Sequence, residues 1–220
     1  MKRNTRQYTY AAARAAGAMA LVAIIACASG AAFAAAVSAQ DVAPDVQVKT
    51  IADEIIGIIK QNKDINAGNQ KKMNELVDAK VLPHFNFSHM TALAVGPNWP
   101  KASAEQQKAL TGEFRMLLVR TYSSALSTYK NQVIEVKPLR AAAGDTDVTV
   151  RTQVKQPGTA PINIDYGMEK TPGGWMVYDV VVGGVSLVTN YRESFSAEIR
   201  DGGVDGLIKS LASKNHSLET

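Results

Sequence analysis

Trp175-Met176-Val177-Tyr178-Asp179-Val180-Val181-Val182 carries one acid in eight residues, and Gly183-Gly184 follows it at once. Beyond the glycines, Leu187, Val188, Tyr191, Phe195 and Ile199 recur at steps of three and four. A strand this apolar is covered on both faces, and the stripe of the helix that follows must be buried as well. Residues 174–211 therefore demand apolar material from the rest of the chain. That material either fills the space around them or leaves a hollow.

The upstream half offers helices. Val48, Ile51, Ile55, Ile58 and Ile59 share one helical face, with Asp45 placed to cap it. A polar stretch over 62–69 leads to a second short helix over 71–81, carrying Met73, Leu76, Val77 and Val81 and stopped by Pro83. Met90 to Val95 reads as a third, ended by Gly96-Pro97. Ser103 and Gln106 then have capping-box spacing, the hydroxyl accepting from the N3 amide while the glutamine reaches back. Leu110, Phe114, Leu117, Leu118, Tyr122, Ala125 and Tyr129 continue at helical steps. A helix over 104–130 would be the longest in the chain, roughly 40 Å at 1.5 Å per residue.

After Asn131 the period becomes two. Residues 133–136 form one strand. In the next, Val148, Val150 and Val154 alternate with Thr149, Arg151, Gln153 and Lys155. Ile162, Ile164, Tyr166 and Met168 share a face of the third, and residues 175–182 form the fourth. Turns at Gln156-Pro157-Gly158 and Thr171-Pro172-Gly173-Gly174 join them as an antiparallel meander. Helices followed by sheet define a single α+β domain with helices against one face of a curved sheet.

The N-terminus is of a different kind. Lys2, Arg3, Arg6 and Arg14 precede a long alanine-rich apolar run that exits through Val37-Ser38-Ala39, the pattern of a secretory signal peptide spanning residues 1–39. Ile24-Ile25-Ala26-Cys27 also resembles a lipobox, but the apolar run continues well past the cysteine, which favours cleavage after Ala39. The chain holds 24 basic and 20 acidic residues, and four of the basic ones lie in this segment. Residues 40–220 are then neutral overall, so composition gives no support to a nucleic-acid partner. They also lack cysteine, which excludes a disulfide, a thiolate nucleophile and a cysteine metal site.

Catalytic signatures are missing from the sequence. No glycine-rich phosphate loop or Gly-x-Ser-x-Gly elbow occurs. His84 and His89, five apart beside Pro83, are poorly spaced for one metal. Asp179 stands out. On a strict two-residue period it shares a face with Trp175, Val177 and Val181, where a carboxylate must be paired, hydrogen-bonded or shifted in pKa. It reads either as a general base in an apolar pocket or as a structural acid bonded to backbone amides, Arg192 or Arg120.

Trp175-x-Val177-Tyr178-Asp179-Val180, Gly184-Val185-Ser186-Leu187-Val188, Tyr191-Arg192, Phe195 and Gly203-Val204-Asp205-Gly206-Leu207-Ile208 together resemble the C-terminal signature of the MlaC family, the periplasmic phospholipid-binding or toluene-tolerance auxiliary proteins. Val81-Leu82-Pro83-x-Phe85-x-Phe87, Gly96-x-x-Trp99, Glu105-Gln106-Gln107 and Thr121-Tyr122-Ser123 agree in order, so the resemblance spans nearly all of residues 40–220. It implies an NTF2-like fold, a twisted antiparallel sheet with N-terminal helices enclosing an apolar pocket for acyl tails. It also implies a periplasmic shuttle without a cofactor. The shuttle would carry phospholipid between an outer-membrane lipoprotein–porin complex and an inner-membrane ABC transporter with its substrate-binding ring. On that reading, Phe114, Leu117, Tyr122, Val150, Ile164, Tyr166, Val177, Val185, Val188 and Tyr191 are the expected pocket wall. For any single one of them plain core packing is the favoured reading, and only a hollow distinguishes the two. Three classes of function thus stand at this point: a lipid carrier, a small isomerase- or hydrolase-like enzyme using Asp179 as acid/base, and a non-catalytic envelope interaction domain.

Overall fold

The protein is described by a computed structural model over residues 42–127 and 132–218. The expected signal peptide with Cys27 lies outside these residues, as does the 128–130 end expected for the long helix.

Helix α1 (Pro44–Gln61) starts on a proline, which suits the first turn because its N–H would be unbonded there anyway. Asp45 does not cap this helix as expected. It lies inside the first turn, and the cap position is Ala43, without a side-chain bond. Within the stretch expected to be only a polar exit, Asn62 caps a single turn, α2 (Lys63–Asn66), that buries Ile65. Asn69 caps α3 (Gln70–Lys80), and Asn86 caps α4 (Phe87–Val95). Helix α5 (Ala104–Ser127) opens on the complete capping box. The Gln106 amide donates to Ser103 Oγ at 3.2 Å, and the Ser103 amide donates to Gln106 Oε1 at 3.0 Å.

Strands β1 (Val133–Val136), β2 (Asp147–Lys155), β3 (Ile162–Thr171) and β4 (Gly174–Val182) make the expected antiparallel meander, in the order β1-β2-β3-β4-β5. The chain is of the α+β class expected. Two features of the C-terminal third differ from expectation. Gly183-Gly184, both at positive φ, form a hairpin turn into a two-residue strand β5 (Val185–Ser186) instead of leading directly into a helix. Leu187 and Val188 therefore precede the helix, and a 3₁₀ turn over Thr189–Tyr191 delivers the chain to α6 (Arg192–Ser217). At 26 residues α6 is longer than the 24 described for α5, although Gly203 breaks it with non-helical angles, φ 68° and ψ −175°.

Register decides which side chains face inward. Val148, Val150 and Thr152 of β2 lie opposite Met168, Tyr166 and Ile164 of β3. A β-bulge between Gly167 and Met168 then shifts the β3–β4 register, so Met168 pairs with Val177, whereas Tyr166 pairs with Val180 and Ile164 with Val182. The strict alternation expected along β4 therefore fails at Tyr178, the extra residue of the bulge. Val180 and Val182 join Val177 on the inner face. Asp179 and Val181, opposite Gly167 and Asp165, go to the other face.

The apolar interior of the described residues falls into three clusters. The long helices pack on each other through Leu110, Phe114, Leu117, Phe195, Leu207 and Leu211, with Val188 ahead of α6 and Met90, Ala94 and Val95 of α4. The sheet packs Val148, Val150, Met168, Trp175 and Val177 against Val48 of α1. The end of α1 forms the third cluster with α2 and α3.

Candidate functional site

The inner sheet face is only partly covered. Toward Lys170 it belongs to the sheet cluster; toward Ile162 it continues through Thr152, Ile164, Val182, Val154 and Ile134, all on the same side by register. Thr152 is buried, its hydroxyl donating to the Ile164 carbonyl at 2.8 Å. Ile164, Val182, Val154 and Ile134 are half-buried, Ile162 is 52% exposed, and none of these five belongs to the three clusters. An apolar strand end is thus left outside every core of the described residues. Phe85 packs against both the helical and the sheet cluster, and its segment pairs with β4 where the Asn86 amide donates to the Val177 carbonyl at 2.8 Å.

The ten residues of the expected pocket wall distribute over this frame without forming one surface. Phe114, Leu117 and Val188 are buried in the helical cluster, with Tyr122 and Tyr191 packed at its margin. Phe114, Tyr191 and Phe195 form a ring trio with centroids 5.2–5.4 Å apart. Burial, with the Tyr122 hydroxyl next to it, pushes the Tyr191 phenol up to about 12. Val150 and Val177 are buried in the sheet cluster beside Tyr166, whose phenol is also pushed up by burial. Ile164 lies on the open part of the face. Val185, opposite Val182, is 55% exposed. A cavity of about 450 Å³ lies at the other end of the strands and is lined by none of the ten.

Asp179 is held by local bonds. The Val180 amide and Ser186 Oγ each donate to its Oδ1 at 2.8 Å. Ser186 Oγ in turn accepts from the amides of Val188 (3.2 Å) and Thr189 (2.9 Å). The carboxylate therefore fastens β4 to the turn that launches α6. Neither arginine considered from sequence reaches it. Arg192 donates twice to the Leu93 carbonyl, at 3.0 and 2.9 Å, and Arg120 donates to the Asn215 carbonyl.

A polar group that sequence spacing did not reveal sits at the bulge. His89 Nδ1 lies 2.9 Å from Glu169 Oε1, to which Asn86 Nδ2 also donates at 2.7 Å. The His89 ring stacks on Tyr178 with centroids 4.6 Å apart, and the Tyr178 hydroxyl donates to Asp147 at 2.8 Å. Burial and the Asp147 carboxylate push Tyr178 up to about 12. Its ring lies over Gly167, where a Cβ would come within 3.1 Å. These partners are up to 83 residues apart in sequence, so no motif search would connect them. They tie α4 to the sheet.

A one-sheet α+β domain with an open apolar strand end, its odd carboxylate spent on a turn, has the build of a binding domain. The chain belongs to the MlaC family: the "MlaC protein" family model matches residues 49–213. It is 25% identical over 174 residues to the intermembrane phospholipid transport system binding protein MlaC of Haemophilus influenzae, covering 78% of this chain and 81% of that one. It is 26% identical over 163 residues to the toluene tolerance protein ttg2D of Pseudomonas putida, covering 74% and 75%. The solved structure of a phospholipid-binding protein from Ralstonia solanacearum, in complex with a phospholipid, matches with a TM-score of 0.74 and 41% identity, covering 80% of this chain and 98% of that one.

Proposed function

We propose that this protein is a periplasmic phospholipid carrier. Residues 1–39 are its export signal and residues 40–220 its single lipid-binding domain. The observation that carries this reading is the inner sheet face that leaves the sheet cluster at the buried Val150 and continues through Ile164 and Val154 to the exposed Ile162, outside every core of the described residues. The phospholipid-bound Ralstonia structure supports the same cargo. A diacyl lipid has some thirty methylenes, and at about 0.8 kcal/mol each their exposure to water costs above roughly 20 kcal/mol, which bars unassisted crossing of an aqueous compartment. Exchanging bilayer for an apolar protein surface is close to thermoneutral, so loading and release are both accessible. Ile164, Tyr166, Val150 and Val177 form the sheet wall, and Phe114, Leu117, Tyr122, Val188 and Tyr191 the helical wall, with Val185 at the exposed edge. The cargo spreads these walls apart. The inner-membrane ABC transporter complex with its substrate-binding ring and the outer-membrane lipoprotein–porin complex are the donor and acceptor, in an order that they impose.

Native mass spectrometry of protein exported by a Gram-negative host, followed by organic extraction, tests this reading. The expected result is about one phospholipid per chain, released as intact diacyl lipid. A lipid-free spectrum under gentle conditions overturns the carrier. Val185→Glu, at an exposed position, is expected to keep the fold and lose the lipid. Full lipid retention by that variant removes Val185 from the cargo surface.

A further inference from the structure

We propose that the cavity at the start of α1 is a second site, separate from the diacyl cargo surface, for a single-chain anionic amphiphile. It is an open hollow of about 450 Å³ between the first turn of α1, the 141–146 loop and the starts of β2 and β4. That is near the lower end of the range of about 300–1,000 Å³ typical of small-molecule sites. Ile162, at the open strand end, is eight residues from Lys170 along β3, roughly 26 Å at 3.3 Å per residue.

The wall is mostly apolar, and several of its polar groups are already used. Pro44 has no N–H to offer, and the Trp175 carbonyl accepts from Gln47 Nε2 at 2.9 Å. Asp145 Oδ2 accepts from the Ala142 amide at 2.7 Å, and the Lys170 amide donates to the Thr146 carbonyl at 2.8 Å. What remains to meet a ligand is the Trp175 indole, the side chains of Leu139 and Val148, and the methyl groups of the alanine loop. Such a lining is mostly hydrocarbon and suits an alkyl chain.

The head of the ligand is set by charge. Lys170 lies opposite Trp175 in the β3–β4 register, on the same face, and lines the cavity. Its ammonium has no ion-pair partner among the described residues. Asp145, the one carboxylate in the lining, is turned onto its own loop. A chain ending in a carboxylate or phosphate therefore fits, as in a free fatty acid or a lysophospholipid.

Trp175 supplies the readout, since Trp99 is the only other tryptophan of the chain. In the exported Trp99→Phe protein, brominated palmitate is expected to quench Trp175 saturably. The same signal is read in the wild-type chain as the difference from Trp175→Phe. Lys170→Gln is expected to weaken binding on the order of tenfold, as loss of a charged hydrogen bond does. Ala142→Phe, which puts a ring into the cavity, abolishes it. Both variants keep their phospholipid in native mass spectra, so failure of this site is distinguishable from failure of the carrier reading. Displacement by unbrominated palmitate points to free fatty acid, and displacement by lysophosphatidic acid alone points to a lysolipid. Non-saturable quenching, displacement by neither, or sensitivity to Val185→Glu and not to Lys170→Gln overturns the proposal.

Discussion

Asp179 shows how one residue changes meaning with its register. Strict alternation places it among Trp175, Val177 and Val181, where a carboxylate would invite a catalytic reading. The bulge at Tyr178 turns it to the opposite face, where it binds the Val180 amide and Ser186 Oγ. Asp179→Asn keeps an oxygen acceptor in place, so lipid retention and stability are expected to stay near wild type. Asp179→Ala removes the acceptor, and Ser186→Ala leaves the Val188 and Thr189 amides without one. Each is expected to lower the unfolding free energy by about 1–3 kcal/mol. Urea titration of the three variants checks this. An Asp179→Asn protein as unstable as Asp179→Ala would show that the negative charge itself is needed.

At the scale of elements, the ends are best explained by local chemistry and the joints by distant partners. The Ser103–Gln106 box starts α5 where its spacing says it should, because both bonds close within three residues. The break in α6 depends equally on one residue, but through the backbone. Gly203 holds φ 68° and ψ −175°, a region that a residue with a Cβ enters only under strain, while a Cβ there would meet nothing within 4 Å. Gly203→Ala is therefore expected to destabilise by about 1–3 kcal/mol through backbone strain alone. Gly202→Ala, next to it at an ordinary φ and equally unobstructed, is expected to be neutral or to stabilise by up to about 1 kcal/mol. Thermal unfolding of the two proteins separates them. Equal effects would mean that the kink is not fixed by Gly203. The joint between α4 and the sheet is different in kind, since His89 and Asn86 meet Glu169 of β3, Tyr178 of β4 and Asp147 of β2 only through the tertiary fold.

For the whole molecule, the division of the interior into separate clusters has a thermodynamic consequence. Helical and sheet clusters each hold themselves together, and Phe85 is packed on both. A ligand that binds the folded chain and not the unfolded one stabilises the folded state by about 2.7 kcal/mol when present at a hundred times its dissociation constant. For a domain of this size that corresponds to a thermal midpoint roughly 5–10 °C higher. Organic extraction of the carried lipid, followed by refolding, is expected to lower the midpoint by that amount, and adding back phospholipid to restore it. An unchanged midpoint would place the bound lipid on a surface uncoupled from folding.

Periodicity by itself determined the α+β order, the first four strands of the meander and the chemistry of the α5 start, because each depends on neighbours within a few residues. It also picked out apolar positions that are buried, Phe114, Leu117, Val150, Val177 and Val188 among them. Which of those share a surface was a different matter. Phe114 and Val150 carry the same pattern of burial and lie in different clusters, since side-chain spacing along an element says nothing about which element packs opposite. The bulge at Tyr178, the β5 hairpin, the lone turn over Asn62–Asn66 and the cavity beside Trp175 were likewise settled only by tertiary structure. A single inserted residue reverses every face after it. Only the partner strand, with Gly167 making room for the Tyr178 ring, decides where that insertion falls.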